Sequence, residues 1–429
     1  MNIRTAKLLI IPVFVLGLVF ATVSATQAQL TPVADPAAAG FIPKRLARLD
    51  KIIYKEIAAG KIPGAVVLVA RDGKIAYHKS FGFADTETQI RMQNDNIFRI
   101  ASMTKAITTV AVMMLYEQGR FQLKDPVRKY LPIFKDMRVV VRESKFSALT
   151  TAPATKPIRI IDLLTHTSGI SYPFIASSVQ QLYVEAGITD GMEGKPITLQ
   201  ENMEALARQP LLFEPGTDVA YGLSTDVLGY LVEVVSGKPL DRFFAERIFK
   251  PLGMQDTYFD LPADKADRLA TLYAHVGGKG LVVSKGDEST IKMDYPRYPI
   301  EGAKTYLSGG AGLSSTAEDY ARFCQMLLND GKFNGKRLLS RKSVELLRTA
   351  RVDLDQDGTD DFGLGFYVTR LSETGELGSN GAYSWGGAFN TEYWIDPEEQ
   401  LIGVLMTQVR PTNSDIKKRF KTTVYQSLQ

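Results

Sequence analysis

The amino-acid sequence predicts an α/β (α+β) protein in which an antiparallel sheet, flanked by helices, is interrupted by an inserted, mainly helical lobe. Three observations carry this expectation. β-rich runs lie towards both ends of the chain, at Ala65–Ala70 and Lys74–Phe81 and again at Phe362–Arg370, Tyr383–Ile395 and Leu401–Gln408. Between them, apolar residues recur at helical spacing over Leu199–Arg208, Ser224–Ser236 and Leu240–Phe249, each bounded by Pro or Gly. With 429 residues, 45% of them hydrophobic, the chain can bury a large core.

In chain order, Arg4 and Lys7 precede the apolar run Leu8–Phe20 and the small-residue stretch Ala21–Ala28. This reads as a secretory leader over residues 1–28, cut after Ala25 or Ala28, which would put the mature protein in the periplasm or outside the cell. The run is short for a membrane span, so none is expected after cleavage. Residues 29–42, rich in Ala and Pro, read as a tether outside the folded body. The body then spans 43–429, with a sheet lobe over about 43–100 and 303–429 and a helical lobe over about 101–302. Its first helix carries Leu46, Leu49, Ile53 and Ile57 and ends at Gly60, and Arg71-Asp72-Gly73 turns the first hairpin. Residues 142–157, 171–197 and 275–303 lack periodicity and read as long loops bordering a site. Ser308–Ser315 is glycine-rich but lacks the Gly-Lys-Ser/Thr ending of a nucleotide loop, so it is expected to pack backbone closely near the cleft. A capping box, Ser315-x-x-Glu318, opens the next helix, and a last helix covers Ser414–Leu428.

Loss of the leader removes two positive charges and no negative one, leaving a mature chain only slightly below the formal +4. Lys and Arg form no dense run, so no nucleic-acid partner is implied. Cys324 sits in an apolar helical pattern and reads as a buried small side chain. His78, His166 and His275 have no zinc spacing. Asp353-x-Asp355-x-Asp357-Gly358 matches the first half of a calcium loop, yet Leu364 occupies its twelfth position. The stretch Asp353–Asp361 therefore reads as a solvated acidic turn, and no metal or cofactor is implied.

Chemistry concentrates at Phe98-Arg-Ile-Ala-Ser-Met-Thr-Lys105, which runs into the apolar segment Ala106–Tyr116. Residues three apart share a helix face, so a helix beginning at Ser102 sets a nucleophilic hydroxyl beside the Lys105 amine. Its N-terminus adds unpaired N–H groups that favour an oxyanion. Further elements follow in order: Leu163-Leu-Thr-His-Thr-Ser-Gly-Ile170, Phe213-Glu-Pro-Gly-Thr217, Tyr221-Gly-Leu-Ser224, Pro251-Leu-Gly-Met-Gln-Asp-Thr257 and Trp385-Gly-Gly387.

Together these resemble the serine β-lactamase and penicillin-binding superfamily, in the branch of class C β-lactamases, D-alanyl-D-alanine carboxypeptidases and family VIII esterases, over about residues 45–425. The resemblance implies a β-lactamase/DD-peptidase-like fold and an acyl-enzyme mechanism. In it Ser102 is the nucleophile, Lys105 its activator, and Tyr221 a partner in the base that passes the proton to the leaving group. It puts the backbone N–H groups of Ser102 and Ala388 at the oxyanion hole. Leu223, Trp385, Gly386 and Gly387 fall at substrate-binding positions. An ordinary lysine is protonated at neutral pH, so burial beside a tyrosine and a positive helix end is what would let Lys105 accept a proton. Tyr221-Gly-Leu223 and Trp385-Gly-Gly replace the usual Tyr-x-Asn and Lys-Thr-Gly, which removes polar groups that grip an amide and a carboxylate. Trp-Gly-Gly is similar to family VIII esterases, so a small uncharged acyl ester is the expected substrate. A β-lactam or D-alanyl-D-alanine peptide is the alternative, and a non-catalytic binding protein the third reading. His166 reads as part of a structural turn, since no Gly-x-Ser-x-Gly elbow accompanies it. Oligomeric state is not legible.

Overall fold

Eight strands form the central sheet. A computed structural model describes residues 30–142, 149–288, 296–359, 361–371 and 375–429, so the expected leader lies outside the described residues. Across the sheet the order is Thr31–Pro32, Lys74–Asp85, Gly64–Arg71, Leu401–Met406, Thr391–Asp396, Tyr383–Gly387 and Tyr367–Val368, with Ile90–Arg91 on the Lys74–Asp85 strand. Every pairing is antiparallel except the outer one between Thr31–Pro32 and Lys74–Ile75. Both ends of the chain thus supply one sheet, as the sequence predicts.

Strand Gly64–Arg71 shows why its sequence is a continuous apolar run instead of an alternation. Val66, Leu68 and Ala70 join one core while Ala65, Val67 and Val69 join another, because side chains alternate and both faces are covered. Helix Ala317–Leu328 packs on one face, and helices Arg48–Ala58 and Ile416–Tyr425 pack together on the other. Cys324 is wholly buried in the first of these helices. Asp72 and Gly73, with φ of +52° and +71°, turn the first hairpin through the left-handed pair that such tight turns require.

Local signals misplace several boundaries. The run Tyr383–Ile395 is a hairpin, Tyr383–Gly387 and Thr391–Asp396, whose connection contains Asn390 at φ +66°. Phe362–Arg370 keeps only Tyr367–Val368 as strand. Two expected loops contain hairpins of their own, Arg138–Arg142 with Thr150–Pro153 and Tyr273–Val276 with Gly280–Val283. The cap of helix Ala317–Leu328 is Thr316, whose hydroxyl accepts from the Asp319 N–H (3.2 Å), one residue later than the expected Ser315.

The expected tether, 29–42, departs most. From residue 30 on it is built into the fold: Thr31–Pro32 adds a strand, Asp35 caps a short turn Pro36–Ala39, and Phe41 is fully buried against the last helix. Ile42 N–H donates to Ser427 O (2.7 Å) and Gln429 N–H to Gly40 O (3.1 Å). An Ala/Pro composition hides a single aromatic anchor, and that anchor decides the matter. Phe41→Ala is expected to cost about 3–5 kcal/mol, read as a lower urea midpoint; an unchanged midpoint would return the segment to tether status.

Candidate active site

The segment Ile100–Lys105 is bent sharply before it becomes helical. Phe98–Arg99 pairs with Ser314–Ser315, after which Ala101 adopts φ +43°, a conformation that costs a non-glycine residue about 1–3 kcal/mol. Its neighbours hold it there: Ile100 N–H donates to Leu313 O (3.0 Å), Leu313 N–H to Thr104 Oγ1 (3.1 Å), and Tyr320 Oη to Met103 O (2.8 Å). A 3₁₀ turn, Ala101–Met103, leads into helix Thr104–Glu117, so Ser102 stands one turn ahead of the helix proper. The helix is buried on nearly all sides, as an apolar segment with Thr at its polar positions requires.

Lys105 points back along this turn. Its ammonium donates to Ser102 Oγ (3.3 Å), Tyr172 Oη (2.9 Å) and Gly310 O (2.9 Å), while the side chain is only 2% exposed. Tyr221 Oη donates to the same Ser102 Oγ (2.8 Å), and the Tyr221 ring lies 4.7 Å from the ammonium. The structure therefore brings Ser102, Lys105 and Tyr221 together. It adds Tyr172, which the sequence reading missed. Its signal was slight, one aromatic two residues beyond the His-Thr-Ser-Gly-Ile element.

Both tyrosines arrive on loops stitched side by side. Leu212 N–H donates to Gly169 O, Gly216 N–H to Thr167 O and Ala220 N–H to His166 O, each at 2.8 Å. At Gly222 a Cβ would sit 2.1 Å from Ile170 O, so only glycine allows the Tyr221 loop to lie on the segment leading to Tyr172. The two rings end 5.5 Å apart. The glycine-rich loop behaves as predicted, since Gly310 presses on Asp226 and Tyr172 and lends its carbonyl to Lys105. Asp226 is wholly buried, and its Oδ1 accepts from Ser308 (2.6 Å) and Tyr306 (3.1 Å). Burial raises its pKa, opposed chiefly by the Ser308 hydrogen bond and the Lys105 charge.

Trp385 lies across from these groups, with its ring 5.7 Å from Tyr221 and 5.3 Å from Phe362. Gly387 brings the strand end against the Ser102 turn, because a Cβ there would meet Ile100 O at 2.4 Å. Ala388 follows it and packs beside the apolar cluster of Ala101, Met192, Leu272, Ala311 and Phe389. Gly386 points to the opposite face, where a Cβ would come within 3.2 Å of Lys417 Nζ. Leu223 departs from the expected substrate contact: its side chain is 0% exposed in the main core, because it precedes the buried helix Ser224–Ser236.

His166 takes φ +57° in its turn, and its ring packs 4.8 Å from Tyr221 and 5.7 Å from Phe362. Burial, and then the Lys105 charge, push its pKa down to about 3, so it is neutral near pH 7 and a weak base. No hydrogen bond joins it to Ser102 among the described residues. The one cluster of metal-ligand type among the described residues, Asp353, Asp355 and Asp361, lies on another loop. Between the ordinary value of 6.5 and about 3 the unfolded chain binds a proton that folded His166 refuses. Stability should therefore fall as pH drops through that window, less steeply in His166→Gln. Urea midpoints that decline in parallel for both proteins would show that His166 titrates alike folded and unfolded.

Comparisons with known proteins place the chain in a family. A family profile described as Beta-lactamase matches residues 49–424. Esterase EstB of Burkholderia gladioli is 31% identical over 89% of this chain and 94% of its own length. Lovastatin esterase of Penicillium rubens is 29% identical over 88% and 98%. The solved structure of EstCE1, a hydrolase with promiscuous acyltransferase activity, superposes with a TM-score of 0.77 at 29% identity, covering 89% of this chain and 99% of that one. The chain belongs to the β-lactamase family and is a serine hydrolase of the serine β-lactamase and penicillin-binding superfamily.

Proposed function

We propose that the protein is an exported esterase that transfers small, uncharged acyl groups through a covalent intermediate on Ser102. The carrying observation is the shared hydrogen bonding of one hydroxyl, Ser102 Oγ, to Lys105 Nζ (3.3 Å) and Tyr221 Oη (2.8 Å). Ser102 Oγ attacks the ester carbonyl as its proton passes to the Lys105–Tyr221 pair, which serves as the base in the form that has lost one proton, with Lys105 as the neutral amine. The backbone N–H groups of Ser102 and Ala388 receive the tetrahedral oxyanion. Tyr221 returns the proton to the departing alkoxide, and water then attacks the acyl-enzyme by the same steps in reverse. Export rests on the charged, apolar and small-residue leader alone.

Substrate class rests on Trp385. An indole offers an apolar face and one N–H donor, and cannot make the charge-assisted contact that a lysine makes with a carboxylate. Phe174 and the apolar cluster around Ala101 and Phe389 extend the same character beside the nucleophile turn. The names of the esterase relatives support this reading. The alternative, a carboxylate-bearing β-lactam or D-alanyl-D-alanine peptide, is favoured by Arg410. Its guanidinium reaches Ala388 O (3.5 Å), and its buried Nε has no hydrogen-bond partner among the described residues.

Ser102→Ala should lower ester turnover by at least about 10³-fold, and a fluorophosphonate should label Ser102. A label mapped to another residue refutes the assignment. Lys105→Ala and Tyr221→Phe should each cost about 10²-fold or more in kcat; full activity in either would remove it from the base. On a panel of nitrophenyl acetate, nitrophenyl butyrate, nitrocefin and a D-Ala-D-Ala peptide, the esters should give the highest kcat/KM. Trp385→Lys should weaken their binding. Faster hydrolysis of nitrocefin or the peptide would instead select the Arg410 reading.

A further inference from the structure

The acidic turn Asp353–Asp361 is less solvated than its composition suggests. It is closed at its base by the pairing of Val352 with Phe362, and its carboxylates converge. One oxygen from each of Asp353, Asp355 and Asp361 lies within 4.8 Å of the other two. Oxygens bound to a single calcium ion at about 2.3–2.6 Å stand at most about 5 Å apart. The three are therefore already spaced to share one ion.

Asp361 adds an independent observation. Its side chain is only 3% exposed; Oδ1 accepts from the Leu354 N–H (3.0 Å), while Oδ2 is buried without a hydrogen-bond partner among the described residues. The charges facing it are those of Asp355, Asp353 and Asp357, all negative. A buried carboxylate oxygen that meets no donor and lies among further negative charges is costly unless a cation answers it. The loop backbone meanwhile organises Asp353, whose carboxylate accepts from the N–H groups of Asp357 (3.1 Å) and Gly358 (2.7 Å).

We propose that Asp353, Asp355 and Asp361 form a calcium-binding site, with backbone carbonyl groups and water completing the coordination. Leu364 replaces the bidentate glutamate that closes a helix-flanked calcium loop, and Asp361 at the ninth position binds directly in its stead. Fewer charged ligands make the site weak, in the range of extracellular modules, about 10⁻⁴–10⁻³ M. The ion would steady the cleft wall from behind. Phe362, next to Asp361, packs on both Trp385 and His166, and Gln356 Nε2 donates to Asp218 (3.3 Å), three residues before Tyr221.

The test is calcium titration of the chelator-treated full chain by calorimetry, paired with thermal unfolding and run beside magnesium. Wild type should bind one calcium ion with a Kd no weaker than about 1 mM, melt at a higher temperature with calcium than without, and bind magnesium more weakly. Asp355→Asn, at an exposed position, should weaken calcium binding at least tenfold, while the exposed control Asp264→Asn should not. Asp361→Asn should also lose the calcium-dependent rise in Tm, and if it fails to fold Asp355→Asn decides alone. Absence of saturable binding below about 5 mM, equal affinity for magnesium, or wild-type affinity in Asp355→Asn would each overturn the proposal.

Discussion

A single buried ammonium organises the site. Lys105 is 2% exposed, and a buried charge is tolerated only where its donors are met. Three acceptors meet them, and they come from three parts of the chain: Ser102 on its own turn, Tyr172 on the loop of the helical lobe, and Gly310 on the glycine-rich loop. Displacing any one would leave a donor unpaired in a low-dielectric interior, which costs about 1–3 kcal/mol or more. The same requirement therefore fixes Ser102 Oγ against Lys105.

Backbone contacts make that alignment narrow. Gly222 lies on the backbone of Ile170 and Gly387 on that of Ile100, in both cases closer than a Cβ would permit. Side chains can shift by rotamer, but backbone pressed on backbone leaves little freedom. Ala101 stores strain at the centre of this arrangement, and its neighbours hold it through hydrogen bonds from Ile100, Leu313 and Tyr320. Around the Ser102 hydroxyl, His166, Phe362, Trp385 and the two tyrosines form a chain of ring contacts. Burial keeps His166 neutral, so the wall beside Lys105 adds no second positive charge.

Much of this was legible from local chemistry. Helical spacing sets Ser102 beside Lys105 and marks Ser224–Ser236 as a helix, and the β-rich run Leu401–Gln408 predicts a strand that the structure ends at Met406. Element ends were read less well. Thr316 caps in place of Ser315, and Tyr383–Ile395 divides at a turn whose left-handed Asn390 gives no periodic signal. The resemblance puts Leu223 at a substrate-binding position, yet the loop from Tyr221 enters the core within two residues.

The sequence by itself determined the order of the elements and the pairing of Ser102 with Lys105 on one helix face, because these depend on residue type and short spacing. Tertiary structure decided what lies next to what across long separations. Tyr172 meets Lys105 because Gly222 lets two loops stack, and Phe41 enters the core because the last helix offers it a face. Asp361 turns inward beneath Phe362, whereas its composition suggested solvent. Spacing along a chain encodes which face a residue occupies, but the distance between two faces is set only when the whole core closes around them.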